Sequence, residues 1–164
     1  MPKDLLNPKY ARLLAIAALL VLGVLAAGFG HHDSKIPKSA CGVYRTDRVV
    51  TIGQTKINAE VAITPADRQK GLSGRPCIEP NQGMLFLFSR PGQYSFWMKD
   101  MKFSIDIVWI TSDHKVAAIY NDIEPSTYPD SFVNDKRHPA QYTLEIKAKL
   151  AKSLGLELGT PVKF

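Results

Sequence analysis

Residues 83–110 read GMLFLFSRPGQYSFWMKDMKFSIDIVWI, and their pattern decides the fold class. Three apolar runs stand out, at residues 84–88, 94–98 and 105–110. Each is too short for a stable helix and rich in aromatic or β-branched side chains, which predicts three strands. Arg90-Pro91-Gly92 is expected to turn the chain between the first two, and residues 99–104 link the second to the third.

Upstream, Val49, Val50 and Ile52 precede Gly53-Gln54, and Ile57, Ala59, Val61 and Ile63 then alternate with other residues. This predicts a hairpin with one buried face. Thr64-Pro65-Ala66-Asp67 supplies a hydroxyl N-cap, a proline at the first helical position and an acid in the first turn, so a short helix should run over residues 65–70 and stop at Gly71. Downstream, Ser112-Asp113 leads into a strand over 115–121. Residues 124–139 hold three prolines without periodicity and read as a long loop. In 141–147 the alternation puts Tyr142, Leu144 and Ile146 inward and Gln141, Thr143, Glu145 and Lys147 toward solvent. A short helix over 148–154 ends at Gly155, and residues 160–164 are a candidate closing strand. The expected architecture is α+β and mainly β: a sandwich or partly open barrel of about seven strands with two short helices.

Working outward to the N-terminus, residues 13–29 form an uncharged run of 17, preceded by Lys3, Lys9 and Arg12. Ten of these are Leu, Ile, Val or Phe, which favours bilayer insertion by roughly 3 to 6 kcal/mol. At 1.5 Å per residue the run spans roughly 25 Å, short of the ~30 Å hydrocarbon layer, so a membrane anchor and a signal peptide cut near Ala26-Ala27-Gly28 both remain open. Either way, the basic flank predicts that the following chain lies outside the cytoplasm. The chain then divides into a leader over 1–30, a spacer over 31–46 and one β-rich domain over 47–164. The expected partners are the membrane, through the leader, and an envelope ligand.

Composition narrows the function. Hydrophobic residues are 45% and charged residues 22% of the 164, as in a globular protein and unlike a disordered tail. Beyond residue 30 the balance is 18 basic against 14 acidic residues without a basic run, which argues against nucleic acid as a partner. Cys41 and Cys77 allow one disulfide, and outside the cytoplasm it would persist. No Cys-x-x-Cys pair or zinc-ligand spacing occurs, and no cofactor is implied. Gly71-Leu72-Ser73-Gly74 lacks the spacer of a nucleophile elbow and reads as a helix-ending turn. Of the histidines, His31 and His32 fall in the spacer, His114 in a turn and His138 in the long loop.

Four residues remain as candidates for a ligand cleft: Arg75, Trp97, Lys99 and Asp106. On a strand Trp97 and Lys99 share one face, so an indole platform lies beside an ammonium. Asp106 interrupts an apolar strand, and a bare carboxylate there would cost several kcal/mol. It must be paired, with Arg75 or Lys99 the candidates, or capped by backbone N–H groups, or placed at a cleft rim. Tyr128 and Asp130 on the long loop would either close over the pocket or decorate the surface.

Arg68-Gln69-Lys70-Gly71-Leu72-Ser73-Gly74-Arg75, Gly83-Met84-Leu85-Phe86-Leu87-Phe88, Phe96-Trp97-Met98-Lys99, Ile105-Asp106, Pro139-Ala140 and Leu144-Glu145 together resemble successive motifs of the domain of unknown function 192 family. The resemblance covers nearly all of residues 47–164. It departs at Asp100-Met101, where a polar residue and Thr are usual, and at Ser104, where Pro is usual. It implies a small, mostly β domain, often behind an export signal, with no established activity. The expectation is therefore a membrane-tethered extracytoplasmic domain that binds a small or polymeric envelope ligand without transforming it. The alternatives are a hydrolase or lyase using Asp106 as base and Lys99 as electrostatic stabiliser, and an envelope protein-interaction module.

Overall fold

The computed structural model describes residues 41–164; the leader, His31 and His32, and most of the spacer lie outside them. The elements are β1 (Arg48–Ile52), β2 (Thr55–Ala62), α1 (Pro65–Lys70), β3 (Gln82–Gly92), β4 (Ser95–Trp97), β5 (Ile105–Ile110), β6 (Val116–Ile123), β7 (Ser131–Val133), β8 (Ala140–Lys147), α2 (Leu150–Ser153) and β9 (Val162–Lys163). A 3₁₀ turn at Pro125–Thr127 precedes β7. Among the described residues no helix is long and apolar enough to cross a membrane.

Seven strands form one curled sheet in the order β6-β5-β8-β3-β2-β1-β9, mainly β as expected, with two short helices. Only the β2–β3 pair among the named ladders of this sheet is parallel, because α1 and the following turn carry the chain across the sheet between them. The two sheet edges meet at one end. Lys115 bridges to Pro161, and Gly159 N donates to the Val116 carbonyl at 2.8 Å.

Both faces of the sheet are covered, which explains why β5 is buried at all six positions. On one face Val50, Ile57, Leu85, Val108, Leu144 and Ile146 pack with Ala151 and Leu156 from the α2 region. On the other, Met84, Phe86, Ile105, Ile107 and Trp109 are covered by Leu72, Ile78 and the small β4–β7 sheet.

The hairpin and α1 follow the local signals. Thr64 and Asp67 form a capping box: Asp67 N donates to Thr64 Oγ1 at 3.1 Å while Thr64 N donates to Asp67 Oδ2 at 3.3 Å. Four expectations need correction. Pro91-Gly92 does not turn the chain but lies in β3, where the register against β8 shifts between Leu87 and Gly92. Such a bulge tolerates the missing proline N–H. The run at 94–98 supplies only three strand residues, which leave the main sheet to pair with β7. The stretch over 124–139, expected as a long loop, thus contains a short strand. Finally, β2 buries Glu60 and Ala62 on its second face and exposes Ile63, and β8 buries Thr143 and Glu145, because the second layer covers what alternation assigns to water.

The segment before β1 is tied down. Cys41 and Cys77 form a disulfide across a separation of 36 residues, a constraint on the unfolded chain of about 4 kcal/mol. Tyr44 Oη donates to the Cys77 carbonyl at 2.6 Å.

Candidate ligand pocket at Glu145

A row of four residues crosses the sheet on its second face: Ile107 on β5, Glu145 on β8, Met84 on β3 and Glu60 on β2. Two carboxyls in that row are almost completely buried, and the fold treats them differently. Glu60 is neutralised by Arg75, whose Nη1 and Nη2 donate to its two oxygens at 3.0 and 2.8 Å. The guanidinium also lies 4.1 Å from the Tyr44 ring centroid, and Arg45 N adds a third donor to Glu60 at 3.0 Å. A bidentate pair of this kind holds its geometry firmly.

Glu145 has no such partner. It is 5% exposed, and its Oε2 makes no hydrogen bond. Burial pushes the carboxyl up to about 8, so at neutral pH it is mainly the uncharged acid. A buried polar atom left unpaired costs about 1–3 kcal/mol, and such atoms call for a reason.

The reason lies beside it. Glu145 lines a cavity of about 310 Å³ walled by Phe86 and Phe88 of β3, Phe96 and Trp97 of β4, and Tyr94 between those strands. Phe88 and Tyr94 stack at 3.4 Å between centroids, and Phe86 meets Phe96 edge-on at 4.8 Å. The opposite wall is the end of α1 and its turn, with Arg68, Gly71 and Ser73. Arg68 is anchored by donating to the Ile63 carbonyl and, at 3.1 Å, to that of Leu87, and its guanidinium stands 5.3 Å from the Phe88 centroid. Gly71, at φ +49°, has the left-handed backbone that glycine adopts freely, and a Cβ there would sit 3.5 Å from Phe86 and 3.8 Å from Glu145 Oε2. Its missing side chain keeps the space in front of the carboxyl open.

Of the four residues expected to form a cleft, Trp97 and Lys99 line one depression together, while Arg75 and Asp106 lie away from it. Trp97 is half exposed and lines the cavity; Lys99 lies beyond it in an adjoining depression. Arg75 is committed to Glu60. Asp106 is fully buried, and its carboxylate is filled by backbone donors: Asp122 N at 2.7 Å and Lys149 N at 2.9 Å on Oδ1, Ala151 N at 2.8 Å on Oδ2. It clasps the start of α2 to β6 and lines neither cavity, so of the options open to it the backbone capping is realised. Tyr128 and Asp130 also line neither. Among the described residues no cluster of His, Cys, Asp and Glu is arranged to hold a metal ion.

Glu145 is the residue that alternation missed. The available signals were its place between Leu144 and Ile146 and the glycine-flanked turn at 71–74, which brings no side chain to block it. Removing the partner of the other glutamate gives a contrast. Arg75→Met is expected to lower stability by about 2–3 kcal/mol in urea denaturation, since Glu60 is left charged and buried with only the Arg45 contacts. Destabilisation below 0.5 kcal/mol would show that the pair does not hold this face.

Comparison with known proteins agrees with the fold. The family model DUF192, described as Uncharacterized ACR, matches residues 48–164. A crystal structure of a protein of unknown function from Novosphingobium aromaticivorans DSM 12444 is similar at 29% identity and TM-score 0.66, covering 71% of this chain and 84% of that one. A second, described as a "putative transcription regulator" from Sinorhizobium meliloti 1021, is similar at 26% identity and TM-score 0.64, covering 74% of this chain and 97% of that one. No curated protein matches the sequence.

Proposed function

The chain belongs to the DUF192 family, and we propose that its β domain, held outside the cytoplasm by or after its apolar leader, binds a small molecule or the end of an envelope polymer in the Glu145 cavity without transforming it. One observation carries this reading: a buried carboxyl oxygen without a partner faces an open, aromatic-walled space. A few polar groups converging on a mostly apolar concavity is the usual composition of a small-molecule site, and about 310 Å³ lies at the small end of the range. The export expectation is supported by the leader and by the Cys41–Cys77 bridge, which suits an oxidising compartment.

The enzyme alternative loses its assigned base. Asp106 has its oxygens filled by three N–H donors and no access to a substrate. Glu145 could deliver a proton at neutral pH, but no second carboxyl, cysteine or histidine lines the cavity with it to complete a hydrolytic pair.

Native mass spectrometry of the full chain extracted from its own envelope is the test. A small-molecule adduct is expected on the wild type and should be lost in Glu145→Leu and in Trp97→Ala while circular dichroism is unchanged. An adduct that both folded variants retain, or none on the wild type, sinks the reading.

A further inference from the structure

The cavity continues past Trp97 into a second depression of about 330 Å³, and Gln69, Lys70, Ser73 and Trp97 line both. The two halves differ in chemistry. The inner half offers aromatic rings and the Glu145 carboxyl with its unpartnered Oε2, with Arg68 and Lys70 on its α1 wall. The outer half offers two ammonium groups, Lys70 and Lys99, against the single carboxylate of Asp100. The backbone that carries Lys99 and Asp100 is tied to the turn after α1, because Ser73 Oγ donates to the Lys99 carbonyl at 2.8 Å and Gly74 N to the Asp100 carbonyl at 2.9 Å. Trp97, about half exposed, forms the shared wall where a ligand passes from one half to the other.

From this division we infer that the ligand is an amphipathic organic anion: a flat apolar body with a carbonyl or hydroxyl acceptor inside the aromatic cavity, and an anionic group outside, over Lys70 and Lys99. The inference rests on the pocket reading above and adds the chemical class. The acceptor follows from Glu145, which nothing in the cavity serves as a donor and which as a neutral acid has a hydrogen to give. The charged and titratable groups around it agree. From α1 come Arg68 and Lys70, both cationic; from the β3–β4 link comes Tyr94. From the segment before β1 comes Tyr44, which feels the Glu145 charge but gives its hydroxyl to Cys77. The neighbouring Glu60 is neutralised by Arg75. A cationic ligand would meet like charges at the mouth and a protonated acid within; an anion meets neither obstacle.

The test is a titration of the full chain by tryptophan fluorescence with three probes: hippurate, which joins a phenyl ring, an amide carbonyl and a carboxylate; its uncharged methyl ester; and phenethylamine. Hippurate is expected to bind at least tenfold more tightly than the ester and the amine not at all. Lys70→Gln combined with Lys99→Gln should bring hippurate down to the level of the ester without changing the ester's own affinity. Glu145→Gln, which keeps a donor, should retain binding, whereas Glu145→Leu should lose it. Hippurate affinity in the wild type should also fall as pH rises through 8, and this fall should be absent in Glu145→Gln. If the ester or the amine equals hippurate, the anionic class is overturned while the cavity reading stands. Binding of none of the three also overturns the class, and the adduct experiment then decides the cavity reading on its own.

Discussion

Asp106→Ala is expected to destabilise the protein by about 5 kcal/mol, the largest effect of any single substitution considered. The carboxylate accepts from Asp122 N, Lys149 N and Ala151 N with no exposure to water. Removing it strands one buried donor, Ala151 N, and two part-buried ones, at about 1–3 kcal/mol each. Two of those donors belong to residues with left-handed backbones, Asp122 at φ 53° and Lys149 at φ 70°, which non-glycine residues adopt at a cost and which the clasp holds in place. Asp106→Asn keeps one oxygen for the Asp122 and Lys149 donors and turns an amide toward Ala151, so about half the loss is expected. Urea denaturation followed by the fluorescence of the buried Trp109 measures both. A loss under 1 kcal/mol for the alanine variant would mean that the clasp is dispensable.

Glu145 gives a second large effect, of opposite character. Its folded carboxyl titrates at about 8, against 4.5 for the free side chain. Between those values the folded protein holds a proton that the unfolded chain has released, so rising pH favours unfolding. The contribution of this group is fully present below about pH 4.5 and is lost progressively up to about pH 8. At about 1.4 kcal/mol per pH unit, the decline amounts to about 4–5 kcal/mol over that window. In Glu145→Gln, which does not titrate, the decline should vanish, and the variant should exceed the wild type in stability at pH 8. Stability curves at several pH values check this. A wild-type profile as flat as the variant's would place Glu145 in contact with water or a partner.

Much of the local structure was legible in the chain itself. Thr64, Pro65 and Asp67 specify α1 by capping chemistry within four residues, and the structure reproduces its bounds and its stop at Gly71. The short apolar runs of 105–110 and of the β1–β2 hairpin became strands because periodicity and β-branching act over the same short range. Asp106 announced itself as a buried carboxylate that needs partners, since a charge inside an apolar strand has no other stable setting.

Alternation failed where a second layer intervenes. For Glu145 and Thr143 it assigned solvent, which holds for a sheet with one wet face. Here the 71–81 segment and the β4–β7 ribbon cover that face, and the turn at Gly71 leaves a gap over one carboxyl. Likewise Arg75 and Lys99 looked equally able to reach Asp106, and spacing could not rank them. The crossover from β2 to β3 instead sends Arg75 to Glu60, while α2 supplies Asp106 with backbone donors from more than 40 residues away.

The chain alone therefore determined most of the main-sheet strands, the helix α1, the apolar run at residues 13–29 and the fact that certain charged side chains would have to find partners, because these depend on neighbours within a few residues. Only the tertiary packing decided which partner each would find and which would be left without one. Hydrogen-bond satisfaction and desolvation are set by what lies across the sheet, and that distance in space has no counterpart in sequence.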